Sequence, residues 1–421
     1  MDKFIIRGGK KLSGEVSISG AKNASLALMP AALLASGVSK LNNTPQLNDV
    51  YTMMKLLKEL GVKPTFENDI LELDTKNIIR QVAPYEHVKK MRASVYVLGP
   101  LTSRFGYAKV SLPGGCAWGP RPINLHLEAL KKMGAEIDLV EGYIIAKSKR
   151  LQGAKINFDV SSVGATGNTL MAASLAKGTT IINNAAMEPE IGNLAEFLIK
   201  MGAKIEGAGT STLSVEGVEE LKAAEITTIA DRIEAATLLI AAAMTNGEIT
   251  LKGISDFLIS SILAKLEDSG CKIETNSSNI SLKSSANFIK PTDVTTSIFP
   301  GFPTDMQAQW TAYMSVADGV SKVTDTIYLD RFKHVPELVR LGADIQVNEN
   351  TAVIKGVNKL KGAKVMSTDL RASASLVLAG LTAEGTTEVL RVYHLDRGYQ
   401  RIEEKLKSLG ADIERAAGAE Y

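Results

Sequence analysis

The sequence predicts an α/β protein assembled from six diverged copies of one unit, and three observations carry that expectation. A Leu, three further residues, a Gly and then Ala, Val or Cys recurs six times, at Gly61, Gly134, Gly202, Gly270, Gly342 and Gly410, with spacings of 73, 68, 68, 72 and 68 residues. Ahead of each Gly lies a stretch rich in small apolar residues, closed by a turn. After each Gly, polar and apolar residues alternate. A long, fixed period of this kind marks a supersecondary unit repeated along the chain.

Taken in order, the first element of a unit is a buried helix, as in residues 24–34, 167–176 and 372–381. These are Ala-rich with no charged face, and a helix that is apolar all round belongs inside a core. A Gly turn follows (Gly37, Gly178, Gly385) and leads into a strand. The next element is an amphipathic helix ending at the Leu-x3-Gly signature, where Gly suits the left-handed conformation that stops a helix. The last is at least one strand, such as residues 135–140, whose period is 2. Six units divide either as two domains of three or as three domains of two. The stretch before Lys22 holds a strand at residues 14–19 with no helix ahead of it, and no further signature follows Gly410. The N-terminal strand is therefore expected to complete the last unit's domain. No linker rich in Pro, Ser or Gly marks a boundary; the best candidate is residues 227–230.

Composition narrows the function. The chain has 421 residues, 45% hydrophobic and 22% charged, with 48 basic against 46 acidic side chains and a net charge of +2. That balance gives no bulk reason to expect nucleic acid or a membrane surface as partner. Cys116 and Cys271 have neither metal-ligand spacing nor a CxxC arrangement. The N-terminus lacks the apolar stretch of a signal peptide, and the longest apolar run, residues 235–244, is too short to span a bilayer. A soluble, cytoplasmic protein is expected.

The charged residues fall at two repeated corners. Lys22, Arg92, Thr166, Arg232, Asp305 and Arg371 lie at or beside the start of the six buried helices. Asp49, Arg121, Glu190, Asp256, Arg331 and Arg397 lie near the start of the six amphipathic ones. Asp49, Glu190 and Asp256 suit helix N-termini as ordinary first-turn acids. Lys and Arg carry the wrong sign there. Their recurrence at Lys22, Arg92, Arg121, Arg232, Arg331, Arg371 and Arg397 points to a polyanionic ligand held by cations and helix N-termini together. One segment breaks the repeat: residues 112–122, with Pro113, Pro120 and Pro122, read as an exposed mobile loop ending at an arginine. Cys116 sits in it among Gly and Pro, where a thiol can serve as proton donor. Cys271 fills a slot held by Ala or Val in the other copies and reads as an inert buried residue.

The motifs Ser19-Gly20-Ala21-Lys22-Asn23-Ala24, Met91-Arg92-Ala93-Ser94, Leu112-Pro113-Gly114-Gly115-Cys116, Pro303-Thr304-Asp305-Met306-Gln307-Ala308-Gln309, Thr368-Asp369-Leu370-Arg371-Ala372-Ser373 and Asp396-Arg397-Gly398-Tyr399 occur in this order. Together they resemble the enolpyruvyl transferase family, and within it the UDP-N-acetylglucosamine 1-carboxyvinyltransferases, from Met1 to about Glu414. The resemblance implies an inside-out α/β barrel fold: two similar domains, each of three βαβαββ-like repeats around a pseudo-threefold axis, with the active site in the cleft between them. The domains would be residues 22–229, carrying the loop at 112–122, and residues 1–21 with 230–421. It implies transfer of the enolpyruvyl group of phosphoenolpyruvate to the 3-hydroxyl of UDP-N-acetylglucosamine, with phosphate released, by addition and elimination through a tetrahedral ketal. That is the first committed step of peptidoglycan synthesis, tied to cell shape and division and open to fosfomycin. No metal or organic cofactor is implied. The partners are the two small-molecule substrates, with no nucleic acid or membrane, and the expected state is a monomer.

The same resemblance gives each residue a role. Cys116 matches the loop cysteine that donates a proton and forms an adduct with phosphoenolpyruvate. Asp305 matches the base for the sugar hydroxyl, and Asp369 an acid near the reacting carbon. Lys22, Arg121 and Arg397 match groups that hold the phosphate and carboxylate of phosphoenolpyruvate, with Arg331 and Arg371 similarly placed. Asn23, Arg92, Arg121, Pro122, Ile123, Asn124, Leu125, Val163, Gly164, Asp305 and Ile327 match positions around the UDP-sugar. One departure stands out: Leu329 occupies a position where many relatives carry an acid, with Asp330 beside it. Ala117 and Trp118 in the loop are also less usual. Two rival readings are weaker. A 5-enolpyruvylshikimate-3-phosphate synthase shares the donor but is disfavoured by the Pro-Gly-Gly-Cys loop and the Pro-Thr-Asp-Met-Gln-Ala-Gln stretch. A nucleic-acid clamp built from repeated α/β units would need exposed basic helices, where these are Ala-rich.

Overall fold

A computed structural model describes residues 2–89, 91–112, 123–284 and 288–418. The chain divides into two compact units, residues 20–229 and residues 1–19 with 230–421. Each has its own hydrophobic core.

The Leu-x3-Gly signature is a helix stop in all six copies. Each of the six glycines has a φ between 88° and 109°. The N–H of the residue after Gly bonds back to the carbonyl of the signature Leu, in the pairs Val62–Leu57, Ala135–Leu130, Ala203–Leu198, Cys271–Leu266, Ala343–Leu338 and Ala411–Leu406. This is the paired closure of a Schellman motif, which satisfies carbonyls that the helix leaves open. The signature thus encodes two bonds and one left-handed residue, and only Gly takes that conformation without a steric cost.

The small-residue helices are buried as expected. Among them are Lys22–Ala31, Val163–Ala173, Arg232–Met244 and Leu370–Thr382; in Arg232–Met244 every residue after the first is buried. The second and fifth open with 3-10 turns, Arg92–Val97 and Thr304–Met306, before Leu98–Phe105 and Gln307–Met314. Small side chains let these helices approach closely. At Gly99, an added Cβ would stand 2.3 Å from Asn168 Oδ1, the same atom that accepts the Gly99 N–H at 2.6 Å.

Around the helices the described residues form six four-stranded sheets. In residues 20–229 the central strands are Val38–Asn42, Tyr107–Ser111 and Thr179–Asn183. Each pairs parallel with a short strand on one side and antiparallel with a hairpin strand on the other. The strand Glu225–Thr227 returns to pair with Val38–Asn42 and closes this unit on itself. Strands alternate buried and open residues, as in Thr212–Glu216, so one face meets the helices and the other meets water.

The N-terminus differs from the sequence reading, which expected one strand at residues 14–19. There are two, Asp2–Arg7 and Ser13–Ser17. Ser13–Ser17 pairs parallel with Glu248–Lys252. Asp2–Arg7 runs antiparallel between Thr386–Leu390 and Asp412–Ala417, filling the place that the second hairpin strand takes in the other five sheets. Phe4 and Ile6 are fully buried there. Among the described residues no helix is long and apolar enough to cross a membrane.

Candidate active site

In the unit containing residues 230–421, three sequence-predicted residues meet at one carboxylate. Asp305, in the turn Thr304–Met306, has Oδ1 at 2.9 Å from Arg331 Nη1 and Oδ2 at 2.8 Å from Arg371 Nη2. Both arginines are buried, while the Asp305 side chain keeps 28% of its surface exposed. Burial pushes the Asp305 pKa up, but Arg371 and then Arg331 outweigh it and hold the carboxyl well below the usual range. Arg371 shows the converse: burial opposes its charge, and the Asp305 carboxylate more than restores it.

The network continues on both sides. Arg331 Nη1 also donates to Thr304 Oγ1 at 3.0 Å, and Thr304 donates to Asp325 Oδ2 at 2.7 Å. Asp325 is fully buried. Its Oδ1 accepts from Thr296 Oγ1 at 2.8 Å and from the backbone N–H groups of Ile327 and Tyr328 at 2.9 Å each. Ile327 is therefore fastened through its backbone to the carboxylate that also orients Arg331. Leu329 is exposed. On the other side, Asp369 caps the helix Leu370–Thr382, accepting from the N–H groups of Arg371 at 2.9 Å and Ala372 at 3.1 Å. The Arg371 guanidinium lies 5.5 Å from the Tyr399 ring centroid. The Tyr399 hydroxyl meets Thr237 Oγ1 at 3.0 Å and accepts from Gln309 Nε2 at 3.2 Å. Arg397 ends the 3-10 segment Val392–Arg397. His394 lies in the same segment; burial and then Arg397 depress its pKa, while Asp369 works the other way.

In residues 20–229, Lys22 opens the helix Lys22–Ala31 and places Nζ 2.9 Å from Asp49 Oδ2. Asn23 beside it is exposed. A second group gathers at His126, in the helix Asn124–Lys132 that follows Ile123 and includes Leu125. A Cβ on Gly164 would stand 3.2 Å from the imidazole, so glycine brings the start of the helix Val163–Ala173 onto the ring. Tyr96 Oη donates to the Val163 carbonyl at 3.3 Å. Asn168 Oδ1 accepts the Gly99 N–H, which fixes the amide so that Nδ2 faces His126 Nδ1 at 3.0 Å. His126 Nδ1 is then the acceptor and Nε2 carries the proton. Burial, then the charge of Arg92, lowers its pKa to about 4, so it is neutral at physiological pH. Arg92 itself is exposed at the start of Arg92–Val97. Cys116, Arg121 and Pro122 lie outside the described residues.

Likeness to known proteins decides the family. Residues 6–406 match the family described as EPSP synthase (3-phosphoshikimate 1-carboxyvinyltransferase). The chain belongs to this enolpyruvyl transferase family. A UDP-N-acetylglucosamine 1-carboxyvinyltransferase of Chloroherpeton thalassium is 59% identical over 100% of this chain and 99% of that one. A protein of the same name from Chlorobium limicola is 56% identical over the whole of both chains. Among solved structures, the enolpyruvyl transferase NikO from Streptomyces tendae superposes with a TM-score of 0.89 at 24% identity, covering 99% of each chain. EPSP synthase from Acinetobacter baumannii does so with 0.76 at 18% identity, covering 99% of this chain and all of that one. At these identities the solved structures share the fold.

In this enolpyruvyl transferase the helix-start argument is narrower than the sequence suggested. Thr166 is the fourth residue of Val163–Ala173. Arg331 stands ahead of the helix Val335–Arg340, and Arg397 ends a turn ahead of Ile402–Ser408. Asp49 is more than a first-turn acid: it is 4% exposed and ion-paired to Lys22. Lys22, Arg331 and Arg371 each have a carboxylate of the chain beside them, so part of the anion they call for is internal. Several supporting residues were missed: Thr304, Asp325, His126, Tyr399, Asp396 and Arg415. Thr304, Asp396 and Tyr399 fall within recognisable motifs; His126 and Arg415 act through partners distant in sequence, and Asp325 through both near and distant ones.

Proposed function

We propose that this enolpyruvyl transferase moves the enolpyruvyl group of phosphoenolpyruvate to the 3-hydroxyl of UDP-N-acetylglucosamine and releases phosphate. The observation that carries the reading is 59% identity, spanning essentially the whole of both chains, to a protein of that name. The reading includes a monomer working in the cytoplasm on the first committed step of peptidoglycan synthesis, and so in cell-wall growth and division.

The reaction assigns one task to each charged group. The Cys116 thiol delivers a proton to C3 of phosphoenolpyruvate as the sugar oxygen attacks C2. Asp305 takes the proton released by that hydroxyl, and Asp369 stands near the reacting carbon. The resulting ketal loses a C3 proton and the C–O bond to phosphate breaks, leaving the enol ether on the sugar. Lys22, Arg121 and Arg397 hold the donor's phosphate and carboxylate, with Arg331 and Arg371 similarly disposed. Two guanidinium groups keep Asp305 deprotonated but also make it a poor base. As the donor's negative charge comes to share those cations, the proton affinity of Asp305 rises and it becomes matched to its task. Asn23, Arg92, Arg121, Pro122, Ile123, Asn124, Leu125, Val163, Gly164 and Ile327 surround the UDP-sugar. The neutral His126 holds the Val163–Gly164 turn at its place.

Phosphate release from phosphoenolpyruvate tests the reading. Release is expected only when UDP-N-acetylglucosamine is supplied; equal release with shikimate 3-phosphate would overturn it. Fosfomycin, an epoxide resembling the donor, is expected to add its mass to the peptide containing Cys116. Cys271 is 7% exposed, burial raises its thiol pKa, and Tyr313 Oη lies 3.6 Å from its sulfur. An adduct found on Cys271 alone would contradict the assignment. Cys116→Asp is expected to keep turnover and lose fosfomycin sensitivity, since a carboxylic acid also delivers a proton.

A further inference from the structure

The segment that carries Arg397 is bounded by unusual backbone. Arg391, ahead of it, has φ 59° and ψ 42°, and Arg401, behind it, has φ 47° and ψ 52°. Both are left-handed and neither is glycine. Such residues persist where the surroundings over-determine them. Here much of the restraint comes from one side chain. Arg415 lies on the strand Asp412–Ala417, paired across from Phe4. Its Nη2 donates to Asp396 Oδ1 at 2.6 Å and its Nη1 to Asp396 Oδ2 at 3.0 Å, a two-pronged hold on the residue next to Arg397. Its Nε donates to Glu403 Oε1 at 2.7 Å, in the first turn of the helix that follows Arg401. Nη1 also reaches Asp2 Oδ2 at 3.3 Å, and the guanidinium lies 5.0 Å from the Phe4 ring centroid.

One planar group therefore fixes the spacing between the residue before Arg397 and the helix after it. Lysine has the charge but not the fork, and cannot hold both carboxylates in this geometry. The geometry points to Arg415, with Asp396, as the positioning pair that sets Arg397 for the phosphoenolpyruvate anion. This rests on the reading that Arg397 binds that donor.

The test compares the wild type with Arg415→Lys and Asp396→Asn. Each variant is expected to raise the KM for phosphoenolpyruvate by about tenfold, since small displacements of a binding group weaken it steeply. The KM for UDP-N-acetylglucosamine is expected to stay within about twofold, because the loss is local. The double variant should be no worse than the poorer single one, as expected when both changes break one contact. An unchanged KM for phosphoenolpyruvate, or a parallel rise for both substrates, overturns the proposal. If Arg415→Lys does not fold, Asp396→Asn carries the same measurement, since it leaves the Arg415–Glu403 contact in place. Amide hydrogen exchange across residues 391–401 separates this proposal from the donor assignment. Both variants are expected to exchange faster there with no substrate present, and wild-type exchange would overturn the positioning role. A wild type inactive with both substrates would instead remove the functional reading.

Discussion

Asp305→Asn is expected to lower kcat/KM by about 10³-fold, the usual scale for removing a positioned general base. The amide cannot accept the sugar proton, and it leaves Arg331 and Arg371, 8% and 4% exposed, facing a neutral group. Breaking a fully buried pair costs about 3–5 kcal/mol. Asp305 is partly open to water, so roughly 2 kcal/mol of stability is expected to be lost at pH 7 once solvent screening is allowed for. The pH dependence has a definite sign. The folded-state pKa of Asp305 is depressed, so its contribution is present above the unfolded value of about 3.9 and fades as pH falls through the folded one. Urea midpoints of wild type and variant should therefore differ at pH 7 and draw together as the pH falls below the unfolded value. Wild-type turnover in the variant would remove Asp305 from the chemistry. A stability gap unchanged at low pH would remove the electrostatic account.

Lys405→Met carries the second large effect, through a different pair. Glu234 is 2% exposed in the helix Arg232–Met244. Lys405 Nζ donates to its two oxygens at 2.8 and 2.9 Å, and Glu234 also accepts the Ser19 N–H at 2.7 Å. Lys405 further donates to Ser19 Oγ at 2.7 Å and to the Ser17 carbonyl at 3.1 Å. Burial raises the Glu234 pKa, and Lys405 is the chief influence holding it down. Without the lysine, an uncompensated buried carboxylate costs about 3–5 kcal/mol at pH 8. A raised folded-state pKa gives stability that is complete below the unfolded value, about 4.3, and is lost as pH rises through the folded value. The variant should therefore be more stable at pH 5 than at pH 8, by thermal or urea denaturation. Adding Glu234→Gln should recover much of the loss at pH 8. A deficit equal at both pH values would show that Lys405 acts through packing alone.

How much was legible follows from where each instruction is written. The helix stops were readable because Leu, Gly and Ala lie within six residues and encode their own closure. The buried helices were readable because small apolar side chains continue all the way round. The positions of Arg331 and Arg397 relative to helices were misread for local reasons. Pro336, in the first turn of Val335–Arg340, sets that helix later than the repeat suggested. Gly398 and the left-handed Arg401 separate Arg397 from the helix that follows. The strand Asp2–Arg7 was overlooked because Ile5 blurs the alternation of Phe4 and Ile6. Asp49 looked sufficient as a first-turn acid, since nothing near it in sequence announces Lys22. His126 and Arg415 depend on partners brought together by folding, as do Thr296 and Thr304 at Asp325.

The strand Asp2–Arg7 has a consequence for how the protein is made. It is made before residues 20–229, yet its partners come after them: the contact between Asp2 and Arg415 spans 413 positions. Residues 20–229 close their three sheets with strands of their own and can fold while synthesis continues. The first strand meanwhile waits with both edges open, a state that invites pairing with other chains. A nascent chain that stops before Asp412–Ala417 lacks Arg415 and cannot hold Asp396. The Arg397 segment can therefore take its final hold only after Asp412–Ala417 has been made and has paired with Asp2–Arg7.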